Sequence, residues 1–84
     1  MELVAFEKIR KANSWGKLIH DVNELGFNLF PATDDVFAVN FKTRRMFSLS
    51  ESGHYFPFLV ERLGLPPAEL LPEKYVRPAG KSIH

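Results

Sequence analysis

The sequence predicts an α+β fold in the order α-α-β-β-β-α, with the helices packed on one face of a small three-stranded antiparallel sheet. Three stretches carry that expectation. Residues 36–50, VFAVNFKTRRMFSLS, alternate apolar side chains at period two on either side of a short basic segment, as a β-hairpin does. Residues 15–25 place Trp15, Leu18, Ile19, Val22 and Leu25 on one helical face. Residues 56–63 repeat the helical spacing with Phe56, Leu59, Val60 and Leu63.

Taken in order, residues 3–12, LVAFEKIRKA, favour a first helix, with Phe6 and Ile9 three apart; a strand over 2–6 is the alternative. Ser14 is placed to cap the second helix by accepting a hydrogen bond from a first-turn amide. Gly26 follows the last apolar position of that helix, where a left-handed C-cap is expected. Phe27-Asn28-Leu29-Phe30, stopped by Pro31, reads as an edge strand, because proline donates nothing to a sheet ladder. Residues 31–35, PATDD, supply turn chemistry.

Burial argues for a particular hairpin register. Phe41 opposite Phe47 and Val39 opposite Leu49 put five apolar side chains, Phe37 included, on one face. A two-residue loop at Thr43-Arg44 splits that set, so the sequence favours a loop of three or five residues, although no Gly or Asn supplies its left-handed position. After Glu51-Ser52-Gly53 the third helix starts near 54–56, with Pro57 tolerated in its first turn and Gly64 at its stop. Pro66-Pro67 opens a short helical turn through Leu71, and Pro72 closes it. The expected domain is 1–72. Residues 73–84, EKYVRPAGKSIH, lack periodicity and are expected as an extended or disordered tail.

With 84 residues the chain has room for one domain and a modest core. It has no cysteine, hence neither a disulfide nor a thiolate metal site. No apolar run approaches the roughly 20 residues that span a bilayer, and the N-terminus lacks the order of a secretory signal, so a cytoplasmic location without a membrane partner is the expectation.

The chemistry of sites is thin. His20, His54 and His84 share no metal-binding spacing, and His20 with Glu24 reads as a helix-surface pair, so neither a metal nor a cofactor is expected. Ser48, Ser50 and Ser52 lie near Glu51 and His54, yet adjacency in sequence makes no catalytic triad, and turn or capping roles explain the serines better. The glycines are dispersed rather than grouped in a phosphate-binding loop. A non-enzymatic protein is therefore expected.

Two binding readings remain. Eight Phe, two Tyr and one Trp are more than so small a core can use, and Phe30, Tyr55 and Phe58 fall off the buried stripes. They are the expected contact residues of a small adaptor or regulatory domain that binds another protein or a second copy of itself as a homodimer. The alternative is a nucleic-acid-binding domain using Lys42, Arg44 and Arg45 at the hairpin tip; a net charge of only +1 counts against it.

Overall fold

Ser14 sets the start of the helix around which the other elements gather. Its backbone is extended, and its hydroxyl accepts from the Lys17 N–H at 3.1 Å. The computed structural model describes residues 2–75, and in it α2 spans Trp15–Glu24. Trp15, Leu18 and Val22 are buried, as their spacing predicts, and the helix closes on Gly26 at φ +94°. The preceding segment is a helix, α1 (Glu2–Lys11), which buries Ala5 and Ile9. The third helix, α3 (Phe56–Leu63), begins with Pro57 in its first turn, inside the expected window, and ends at Gly64.

Two polar contacts lock α3 to the other helices. The indole N–H of Trp15 donates to the Gly64 carbonyl at 2.7 Å. The Arg62 guanidinium donates to the carbonyls of Ile9 at 2.9 Å, Arg10 at 2.6 Å and Ala12 at 3.3 Å, at the C-terminal end of α1 where intrahelical donors run out.

Strands β1 (Asn28–Pro31), β2 (Val36–Asn40) and β3 (Arg45–Ser48) form an antiparallel sheet in the order β1-β2-β3. The order of elements, α-α-β-β-β-α, is the expected one. The hairpin register is not. Phe37 pairs with Ser48, Ala38 with Phe47, Val39 with Met46 and Asn40 with Arg45, so the loop has four residues, 41–44. An even loop places Phe37 and Val39 on the face opposite Phe47 and Leu49. The expected grouping of five apolar residues on one face is therefore overturned.

Two physical causes decide the register. The first is local. The Asn40 side-chain oxygen accepts from the Lys42 N–H at 3.0 Å and the Thr43 N–H at 3.2 Å, and the Asn40 carbonyl accepts from the Arg44 N–H at 2.7 Å. That arrangement builds a four-residue turn with Arg44 at φ +63°. The left-handed position exists, and a non-glycine residue occupies it. The second cause is packing. The inner face of β2 is small, with Val36 and Ala38 fully buried, so the rings of Phe47, Phe6 and Phe27 can meet beneath it. The Phe47 ring lies 4.9 Å from that of Phe6 and 5.2 Å from that of Phe27, both edge-on. The side chains from α1, α2 and α3 complete this core on the same face.

Beyond β3, Ser48 and Glu51 cap each other. The Glu51 N–H donates to the Ser48 hydroxyl and the Ser48 N–H donates to the Glu51 carboxylate, each at 3.1 Å. A 3-10 turn at Ser50–Ser52 follows and ends at Gly53, φ +88°. After α3 the chain returns to the free edge of β1 through a 3-10 turn at Ala68–Leu70, burying Leu70. Residues 73–75, expected as the start of a loose tail, form another such turn. The Glu73 and Lys74 N–H groups donate to the carbonyls of Ala32 at 2.9 Å and Thr33 at 2.6 Å, and the Tyr75 ring packs 4.8 Å from that of Phe56. The rest of the expected tail, residues 76–84, lies outside the described residues.

Candidate functional site

Alternation on the sheet defines an outer face that the sequence reading missed. Asn28 and Phe30 from β1, Phe37 and Val39 from β2, and Met46 and Ser48 from β3 share it, with Phe30 beside Phe37 and Val39 beside Met46. Phe41, first in the hairpin loop, turns its ring edge-on to Phe30 at 5.9 Å. Phe30 is 43%, Met46 60% and Phe41 65% exposed. Phe37 and Val39 between them are half-buried. The result is an apolar strip on the side of the sheet away from the core. The readable signal was that both alternating sets of β2 are apolar; Asn40 at the corner of the loop was the clue to which set faces out.

Charge is distributed along this strip by polarity. At the hairpin end stand Lys42, Arg44 and Arg45, all exposed, as expected for a basic tip; Glu24 and Lys42 line the same shallow cleft there. At the other end the Asp35 carboxylate is buried, accepting from the Val36 N–H at 2.7 Å and from the Ser50 hydroxyl. The Ser50 hydroxyl lies 3.2 Å from that of Ser48, which in turn is tied to Glu51. Asp34 is exposed beside this network, and Lys74 lines a cleft with Asp34 and Asp35. Three carboxylates against one ammonium leave this end acidic.

Of the contact residues expected from sequence, Phe30 belongs to the outer face. Tyr55 and Phe58 are exposed too, at 54% and 64%, but they form a separate pair at the start of α3, their rings 6.1 Å apart and edge-on. No ring contact joins the two pairs among the described residues. Phe27, which alternates with Phe30's neighbour in sequence, is buried.

The serines near β3 are engaged structurally. Ser50 bonds Asp35, and the Ser52 hydroxyl donates to the Leu49 carbonyl at 2.6 Å. His54 is half-buried; burial, then the charge of Arg62, lowers its pKa, and a hydrogen bond with the Phe6 backbone partly opposes them. His20 reaches Glu24 across one helical turn at 3.8 Å with both side chains exposed. Among the described residues no group of three or more potential ligands is placed to hold a metal ion, and no helix is long and apolar enough to cross a membrane. Compared with known proteins, the chain matches no family model, no curated protein and no solved structure.

Proposed function

We propose that the chain is a small non-enzymatic protein-binding domain whose contact surface is the outer face of the sheet, centred on Phe30, Phe37, Val39 and Met46. The observation that carries the reading is that strip itself. One face of the sheet is occupied by a complete core, and the other offers aromatic and aliphatic side chains with a polar group at each end. Contiguous apolar surface with a charged rim is the composition of a protein contact, and aromatics and methionine are enriched at such centres. Tyr55 and Phe58 supply a second, smaller apolar pair on α3.

A nucleic-acid reading has one observation in its favour. The exposed Phe41 ring stands next to Lys42 in the loop, and an aromatic beside a cation is how single strands are held by stacking and phosphate contact. The acidic far end of the same strip opposes it, because the backbone of a strand laid along the face meets carboxylates there.

Site-specific photo-crosslinking tests the two readings together. A photoreactive residue in place of Met46 is compared with one in place of Asn13, which is exposed in the loop between α1 and α2. In cells that naturally express the chain, position 46 is expected to yield a discrete protein adduct and position 13 none. A nuclease-sensitive adduct at position 46 supports the nucleic-acid reading instead. No adduct at position 46, or equal adducts at both positions, contradicts the proposed surface.

A further inference from the structure

Resting on the proposed contact surface, we infer that its occupant is a second copy of this chain, stacked face to face with its strands antiparallel to those of the first. Lys42 and Arg44 lie at one end of the outer face, with Glu24 beside Lys42; the exposed Asp34 and Glu51 lie at the other end with the buried Asp35, and Lys74 is the cation that shares their cleft among the described residues. A face of this kind is complementary to itself under one symmetry operation and not under another.

Two copies related by a two-fold axis present the same patch to each other. When that axis lies along the strands, hairpin tip meets hairpin tip, and the cations oppose one another. When it lies across the strands, each basic tip sits over the partner's acidic end, twice in the dimer, and the apolar centre closes on itself. Like charges juxtaposed at an interface repel, so the second arrangement is selected. Phe30, Phe37, Val39 and Met46 of the two copies then interdigitate as the inner layers of a sandwich, about 10 Å apart.

The sheet edges favour facial over edge-on pairing. The Ser48 N–H that points off the open edge of β3 is already occupied by the Glu51 carboxylate. The other edge strand, β1, ends in Pro31 and is covered by the turn that buries Leu70. With these edge positions engaged, the outer face is the larger surface that the sheet offers for association.

The size of the face sets the strength. Three strands about 4.8 Å apart and roughly 17 Å long make a patch well below the roughly 800 Å² per partner of a standard interface. A weak, exchanging dimer follows, with a dissociation constant of about 10–100 µM.

Sedimentation equilibrium of the full chain from about 10 µM to about 1 mM tests this, alongside circular dichroism to show that each variant folds. The wild type is expected to pass from monomer to dimer. Met46→Glu, at an exposed position, is expected to raise the dissociation constant at least about tenfold by placing a carboxylate in the apolar centre. K42E/R44E and Asp34→Lys each weaken self-association, whereas an equimolar mixture of the two forms a dimer, because each reversed end then meets a complementary one. A strict monomer, a dimer indifferent to Met46→Glu, or failure of the mixture to recover association overturns the inference. A monomer that still crosslinks to a different protein through position 46 removes the second copy and leaves the contact surface standing. A monomer without any such crosslink removes both.

Discussion

Asn40 and Arg44 set the length of the hairpin loop, and with it which sides of β2 and β3 share a face. Asn40 is buried, and its amide side chain serves two elements at once: the oxygen holds the hairpin loop, while the nitrogen lies 3.5 Å from the Leu25 carbonyl where α2 ends. A Cβ on Gly26 would come within 2.9 Å of that nitrogen, so the glycine is needed for close approach as well as for its positive φ. Arg44 holds the left-handed corner of the loop at φ +63°, a conformation that costs a side-chain-bearing residue roughly 1–2 kcal/mol. Replacing it by glycine removes that strain at some cost in unfolded-state entropy. Arg44→Gly is expected to stabilise the fold by about 0.5–1 kcal/mol, read as a higher urea midpoint at unchanged slope. A lower midpoint means that the Arg44 side chain contributes contacts that outweigh its strain.

At the scale of elements, the helices were the most legible part of the chain and the strand pairing the least. Trp15, Leu18 and Val22, or Phe56 and Leu59, specify a buried stripe from spacing alone, because the other faces of those helices carry Lys17, Glu24, Glu61 and Arg62. Strand β2 offers no such contrast. Val36 and Ala38 on one side are as apolar as Phe37 and Val39 on the other, so burial alone does not choose, and the larger set is the wrong guess. What chooses is long-range: room for the Phe6, Phe27 and Phe47 rings under Ala38, and a loop length set by Asn40. Exposure of Phe30, Tyr55 and Phe58 was legible from period arguments; that they fall on two separate surfaces was not, since it depends on how α3 is placed against the sheet. That placement rests in part on Arg62. Its three hydrogen bonds to the end of α1 join elements about 50 residues apart in sequence. Arg62→Ala is expected to cost about 1–2 kcal/mol in chemical denaturation by leaving those carbonyls to water. A cost near zero means that water replaces the guanidinium without loss.

Considered as a whole, the molecule places most of its aromatic side chains in two layers, with Tyr55 and Phe58 apart from both on α3. Phe6, Phe27, Phe47, Phe56 and Trp15 build or flank the core between the helices and the inner sheet face, while Phe30, Phe37 and Phe41 occupy the outer side. An antiparallel sheet can leave one face to water when that face is polar, but here both faces carry apolar side chains, which favours a second covering layer. The described residues supply the cover for one face; a second copy of the chain is the proposed cover for the other. An NMR dilution series of the full chain with labelled methyl groups measures this most directly. The account predicts that the Met46 and Val39 methyl signals shift with concentration up to about 1 mM, while those of Ile9 and Leu59 in the core stay fixed. Signals that do not move, or shifts confined to the neighbourhood of Tyr55 and Phe58, would contradict it.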